Sequence, residues 1–446
     1  MTSISPLPDA KAQITGPIAA WIGLDWADQQ HVISLYDVAT GQTETAQLRH
    51  SAEALQQWVA NLRTRYGGAR VAVVLEQARG SVWYALMSHD SLVLYPVNPE
   101  SLANYRKTFF PSRAKNDPSD AALLQEMVRK NPERFRAWWP EDADTRALQL
   151  LTQHRRRLVD QKTALTNQLT SLLKGYYPQA LDWAGALDKE MACTFFQHWP
   201  ALKILQRAKP ARLRQFWKKH TRLTSQQMDQ RLEAIEQARS LTEDPAVVEA
   251  SALMVQALVT QLVPLLKAIE QFEHHIAERF QRHPDRGLFE SFPGAGAAVA
   301  PRLLVALGAD RQRWQAAEEI QRLSGIAPVT EQSGQSRWVH WRSACPKFLR
   351  QTFQEFANWS VKWCRWAKAY YLKQRGRGNQ HQAAIRALAY KWIRIIFRCW
   401  KEHTPYNDSL YIDSLRRRGS PLVEDIEKLI LRASNVPACG KAVRIP

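Results

Sequence analysis

Asp117 and Asp120 stand three residues apart in Lys115-Asn116-Asp117-Pro118-Ser119-Asp120-Ala121, at the entrance of a segment, Ala121 to Val128, that reads as helix. Residues three apart leave the same helical face, so the two carboxylates can share one cation. An Asp or Ser before such a run is also a common N-cap, and Pro118 suits the first helical position, so on this stretch alone capping is the simpler reading. Two further acids reverse that ranking. Asp25 ends the apolar run Ala19-Ala20-Trp21-Ile22-Gly23-Leu24, and Glu76 ends Arg70-Val71-Ala72-Val73-Val74-Leu75. Acids at strand ends collect where open α/β sheets place their functional groups. Four carboxylates brought together repel unless a cation neutralises them, and Mg²⁺ (with Mn²⁺ as the alternative) takes carboxylate, water and phosphate oxygens. Two such ions can activate an attacking group and stabilise a leaving oxygen in phosphoryl transfer. Taken singly, each acid is more simply a solvated carboxylate at a strand end, and only their order and placement together favour a site.

The elements that must position these acids are legible. After Asp25 the strand pattern resumes at His31-Val32-Ile33-Ser34-Leu35-Tyr36, giving a hairpin with a carboxylate at its mouth. Ser51 to Tyr66 is helical, with Leu55, Trp58, Val59 and Leu62 on one face; a helix over Ser81 to Ser88 and a strand over Leu92 to Val97 follow. Alternating strands and helices over residues 18–135 predict an α/β domain with a mixed sheet.

Composition narrows the partner. The 446 residues carry a formal net charge of +19, which favours a polyanion, in practice nucleic acid. The start of the chain lacks a basic stretch followed by an apolar run, and the later apolar stretches are interrupted by charge, so no membrane is expected and the cytoplasm is the expected compartment. Cys193, Cys345, Cys364, Cys399 and Cys439 form no Cys-x-x-Cys pair, so neither a disulfide framework nor a zinc site is signalled.

The order Gly23-Leu24-Asp25-Trp26-Ala27, Val74-Leu75-Glu76 and Lys115-Asn116-Asp117-Pro118-Ser119-Asp120-Ala121 resembles the DEDD transposases of bacterial insertion sequences, the one-ten family. That family is related to the Piv DNA invertases, and its first domain is similar to the RuvC Holliday-junction resolvases of ribonuclease H fold. The resemblance spans about Trp21 to Tyr406. It implies a RuvC-like domain, a coiled-coil linker and a transposase domain, at the bacterial nucleoid.

Beyond Asp142 the pattern turns helical. Leu151, Leu158, Leu165 and Leu172 recur at seven, with Leu148 and Leu169 on the adjoining seam, and Arg155, Arg156 and Arg157 interrupt them. Shorter helices broken at Pro200 and Pro210 follow, with a basic patch at Arg212, Arg214, Lys218, Lys219 and Arg222. Leu258, Leu262, Leu265, Ile269, Phe272 and Ile276 then form a second seam, kinked or strained at Pro264. Two long antiparallel helices with a helical insert fit residues 136–288, either as an ordinary bundle or as a dimerising coiled coil. Pro293-Gly294-Ala295-Gly296 opens an Ala-rich helix and reads equally as a plain turn or as a phosphate-holding hairpin.

Ser324 to Gly334 carries turn residues rather than a helix or strand pattern, and spacing alone gives Ser333 no special role. No local base is obvious, since His340 can fall on either face of a strand. The resemblance assigns the nucleophile: Gly325-x-x-Pro328 followed by Ser333-Gly334 looks like the transposase domain of the same family, whose Ser before Gly attacks DNA. Ser336 and Ser343 are the near alternatives. From Arg337 to Lys401 fifteen Lys or Arg face one acid, Glu355, a local balance of +14. Aromatics at helical spacing between them read mostly as core, with Lys362, Arg365, Arg386, Arg394 and Arg398 able to occupy wet faces, and Arg337, Arg342, Lys347, Arg350, Arg375 and Arg377 are the expected phosphate contacts. The transposase domain is expected over 289–421, with tails at 1–17 and 422–446.

The resemblance implies a recombinase that joins donor and target DNA through a covalent phosphoserine at Ser333, with Asp25, Glu76, Asp117 and Asp120 binding Mg²⁺. The resemblance further implies a non-coding bridge RNA as guide, and a dimer or tetramer. The rivals are a RuvC-like nuclease using water, and a nucleic-acid scaffold in which Asp117 and Asp120 only cap a helix.

Overall fold

A computed structural model describes residues 17–76, 80–109 and 117–434, the side chains of residues 117, 118 and 432–434 excepted. The chain divides into two compact units, residues 1–141 and 142–446.

The first unit is built on five strands: β1 (Ile18–Asp25), β2 (Gln30–Asp37), β3 (Thr43–Arg49), β4 (Arg70–Glu76) and β5 (Leu92–Val97). Their order is β3-β2-β1-β4-β5, with β1, β4 and β5 parallel and β2 and β3 antiparallel. Edge strand β3 escapes the sequence reading because, of its seven residues, only Leu48 is buried. Helices α1 (Ala52–Arg65) and α2 (Ser81–Leu86) cover one face, packing Leu55, Val59, Leu62, Val82, Trp83 and Leu86 on Ala20, Ile22, Leu24, Val71, Val73 and Leu75. Helices α3 (Pro99–Phe109) and α4 (Asp117–Lys130) cover the other, packing Leu102, Leu123, Leu124 and Val128 on Trp21, Ala72 and Val74. Helix α3 is not signalled in the sequence, where its single buried residue, Leu102, gives no stripe.

Gly23 fixes how closely α4 can lie. A Cβ there would meet the Ala121 carbonyl oxygen at 1.8 Å, so only glycine admits this approach of helix backbone to strand. Gly23→Ala is expected to destabilise the first unit by about 3 kcal/mol, read as a lower urea midpoint; an unchanged midpoint would refute the packing argument.

The described residues of the second unit are helical apart from one hairpin. Helices α5 (Ala143–Tyr176) and α11 (Pro245–Arg282) run antiparallel, tied by Arg279–Asp144 at one end and Arg155–Glu273 further along. Between them in sequence lie α6 (Ala180–Trp183), α7 (Glu190–His198), α8 (Leu202–Gln206), α9 (Pro210–His220) and α10 (Ser225–Gln237), which form an aromatic core with Leu169, Leu173, Leu258 and Leu262. Leu148, Leu169 and Leu173 are the fully buried leucines of α5, whereas Leu151, Leu158, Leu165 and Leu172, the residues recurring at seven, stay half-buried. Helix α11 runs through Pro264, which lies on its exposed side. Contrary to the sequence reading, α11 is long and apolar enough by composition to span a membrane; here its Val255, Leu258, Val259 and Leu262 are buried within the protein.

The remainder comprises α12 (Arg286–Glu290), α13 (Gly296–Leu307), α14 (Ala317–Leu323), the hairpin β6 (Pro328–Ser333) and β7 (Ser336–Trp341), α15 (Lys347–Trp363), α16 (Arg365–Gly376), α17 (His381–Lys401), α18 (Asp408–Arg417) and α19 (Leu422–Ser434). Helix α13 is buried along nearly its whole length and is packed by Phe353, Phe356, Trp366, Trp392, Ile396 and Trp400. The expected peripheral tail after Leu422 is instead α19, whose Leu422 and Ile426 enter this core. Glu355, the lone acid of the basic stretch, bridges Arg156 of α5 at 3.0 Å and Arg302 of α13 at 2.5 Å. Arg302 is almost fully buried, and burial holds its proton affinity below the usual guanidinium value against the pull of Glu355. Glu355→Ala leaves that buried cation without its acid and is expected to cost about 3 kcal/mol. Equilibrium urea unfolding checks it, and a cost within experimental error would show that Arg302 needs no partner.

Candidate active site

Leu24 pairs with Leu75 across the parallel strands β1 and β4, and the next residue in each is an acid. Asp25 and Glu76 therefore end neighbouring strands at the same edge, about 5 Å apart through the backbone. Side chains alternate along a strand, so with Leu24 and Leu75 facing α1 and α2, Asp25 and Glu76 fall on the side of α4. Asp25 is half-buried and Glu76 exposed.

The direction of α4 completes the arrangement. Ala121 sits against Gly23, while the Arg129 guanidinium lies 3.8 Å from the centroid of the Tyr36 ring, and Tyr36 pairs with Trp21. As residue numbers rise in α4, the contact level on β1 falls, so the start of α4 points toward the edge where Asp25 and Glu76 lie. The helix N-terminus carries a partial positive charge, which favours acids there. Asp120 is buried, and its carboxylate accepts a 2.7 Å hydrogen bond from Nε of Arg106 on α3. Among the described residues no three acidic, histidine or cysteine side chains come close enough to hold one metal ion. Asp120 is compensated by Arg106, and the Asp117 side chain lies outside the described residues. The donors fit a hard cation in kind, being carboxylate oxygens at one sheet edge. Arg106 and Gly23 were missed in the sequence; an isolated glycine inside an apolar strand was the available signal for the second.

Ser333 ends β6 rather than lying in an irregular turn, a correction to the sequence reading. Its segment is polar and almost wholly exposed, so no buried alternation announces the strand. Ser333 pairs with Ser336 across a two-residue turn in which Gly334 takes φ of +56°. Opposed residues share a face, so Ser333, Glu331, Ser336, Trp338 and His340 line one side. His340 is paired with Val329, four residues from Ser333, or about 13 Å along the strand, beyond hydrogen-bonding reach. Its Nε2 lies 3.5 Å from Glu331 instead. Arg337 and Lys347 are exposed, Arg342 and Arg350 half-buried, and Arg375 and Arg377 exposed at the end of α16. The pKa of the Cys193 thiol and that of the Cys399 thiol are each pushed up by burial to about 11, which keeps both thiols protonated and inert.

Residues 22–178 match a family model described as a transposase, the DEDD type of IS110, and residues 286–372 match one for transposases of the IS116/IS110/IS902 family. A mini-circle putative transposase for IS117 of Streptomyces coelicolor is 25% identical over 88% of this chain and 96% of its own length. The 44.8 kDa protein of insertion element IS116 from Streptomyces clavuligerus is 26% identical over 84% of this chain and 93% of its own. The 42 kDa protein of insertion element IS900 from Mycobacterium paratuberculosis is 23% identical over 87% and 97%. The sheet with acids at adjacent strand ends is thus the DEDD domain of a transposase, of the ribonuclease H-like class. The chain belongs to the IS110 family of transposases, and its substrate is DNA.

Proposed function

We propose that this transposase cuts and rejoins DNA with Ser333 as nucleophile and with a metal site made by Asp25, Glu76, Asp117 and Asp120. The observation that carries the reading is the adjacency of Asp25 and Glu76 on parallel strands, with the acid-bearing start of α4 directed at the same edge. A bound Mg²⁺ pair would supply a Lewis acid to the phosphate and lower the proton affinity of the attacking hydroxyl. The protein's own share is to hold that charge in place. Arg106 lies within reach of Asp120 to balance the site as charge builds.

In the chemical step, the Ser333 Oγ–P bond forms and one P–O bond of the strand breaks. The serine proton passes to solvent or a base, and the departing oxygen takes up a proton. Attack by a hydroxyl of the second DNA on the phosphoserine reverses the exchange and frees Ser333. The exposed tip of a two-residue hairpin suits a hydroxyl that must reach a phosphate between two large substrates. The reading requires the two units to work on one phosphate, within one chain or between two copies. We extend it to a helical linker over residues 136–288 that dimerises through the half-exposed leucines of α5 as a coiled coil, a transposase domain over 289–421, and a bridge RNA that pairs with donor and target DNA while the protein reads backbone and shape.

The test is to incubate the protein with Mg²⁺ and DNA carrying the insertion-sequence end, then denature, digest with protease and map the nucleotide-bearing peptide. Attachment at Ser333 supports the reading. Cleavage without any attached peptide would favour hydrolysis by water, and attachment at Ser336 or Ser343 would move the nucleophile.

A further inference from the structure

The base of the β6–β7 hairpin holds an arrangement that the chemistry at its tip does not use. Trp341, the last residue of β7, has the Arg350 guanidinium carbon 4.7 Å from its ring centroid and that of Arg386 at 5.1 Å. Arg350 comes from the first turn of α15 and Arg386 from α17, so two helices deliver cations to one indole. The two guanidinium carbons are therefore at most about 10 Å apart, within the range of cation–ring contact to a shared ring.

Like charges this close repel, and cation–π contact returns only part of that cost. Nη1 of Arg350 and Nε of Arg386 are buried, and neither has a hydrogen-bond partner. Among the described residues neither guanidinium pairs with an acid, and the one acid between Arg337 and Lys401, Glu355, is spent on Arg156 and Arg302. Burial first, and then the charge of Arg350, hold the proton affinity of Arg386 below its ordinary value. Two unpartnered, mutually repelling guanidinium groups are a site short of an anion. A phosphate accepts planar forked donors from two sides and can take one from each arginine.

We infer that Arg350 and Arg386, set around Trp341, seat one phosphodiester group of the DNA strand on which Ser333 acts. Trp341 pairs with Pro328, five residues from Ser333 along β6, or about 17 Å. By the register Trp341 lies on the hairpin face opposite Ser333, so a strand seated at the base crosses the edge of the hairpin to reach the serine. The base of the hairpin thus holds the backbone while its tip meets the scissile phosphate. Arg350 and Arg386 are positioning residues. The inference rests on the reading of Ser333, but its test reads binding and is independent of cleavage.

The experiment is fluorescence anisotropy of a labelled DNA duplex across a salt series, with wild-type protein, Arg350→Gln and Arg386→Gln. Each variant is expected to bind about tenfold more weakly at low salt. The slope of log affinity against log salt should become shallower by about 0.9 for each variant, one phosphate contact fewer. A slope unchanged in both variants would overturn the inference, leaving the pair as packing around Trp341. A loss confined to labelled RNA of the same length would overturn the assignment to DNA. Should the variants fail to fold, phenylglyoxal modification of wild-type protein gives the same reading. Arg350 and Arg386 should react in free protein and be protected by duplex, and equal reactivity with and without DNA refutes the site. Ser333→Ala protein should give the wild-type slope, so failure of the nucleophile assignment and failure of the phosphate seat show up separately.

Discussion

Ser333→Ala protein is expected to lose DNA strand exchange by at least about 10⁵-fold, because removal of a covalent nucleophile removes the step that every other group serves. The substitution deletes one oxygen from an exposed hairpin end, and the turn itself depends on Gly334, not on the serine side chain. Folding and DNA affinity should therefore stay within about twofold of wild type, a change no larger than an ordinary exposed substitution makes. The measurement is a single-turnover exchange assay with parallel analysis of protein-linked DNA. Residual cutting at the wild-type rate without any adduct would identify water as the nucleophile and make the chain a nuclease.

The second large effect concerns the sheet edge. Asp25→Asn keeps the size of the side chain and removes its charge, and it should slow cleavage about a thousandfold, as losing one preorganised charge at a reacting phosphate does. Glu76→Gln, at the end of the neighbouring strand, should produce a loss of the same order. Both should raise the Mg²⁺ concentration needed for half-maximal rate, with DNA affinity in metal-free buffer unchanged. Stability gives the control. Glu76 is exposed, so Glu76→Gln should leave the fold about as stable as wild type without metal. A rate within threefold of wild type in both variants would show that the strand-end acids take no part in the reaction and would favour a scaffold role.

Arg106 qualifies the picture of four acids around a cation. Its Nε holds the buried Asp120 at 2.7 Å, so the charge at the start of α4 is already balanced by a fixed guanidinium. Sequence alone grouped the acids by their order along the chain and had no means of finding a cation brought from α3. The linker shows the same limit. The leucines spaced at seven on α5 form a period, but the fully buried positions are Leu148, Leu169 and Leu173, chosen by contact with the core around α13 and by the aromatic insert.

The sequence by itself determined the strands that end in Asp25 and Glu76, the helix beginning near Asp117, the long helical stretch and the basic final third. Each is written in local periodicity or composition. Tertiary structure alone decided that β1 and β4 are neighbours in register, that α4 descends on Gly23 with its start toward the acids, and that Ser333 ends a strand. It also decided that Trp341 gathers two cations from separate helices. These facts depend on contacts between residues far apart in the chain, where side-chain volume and backbone approach select the partner and no short-range pattern records the choice.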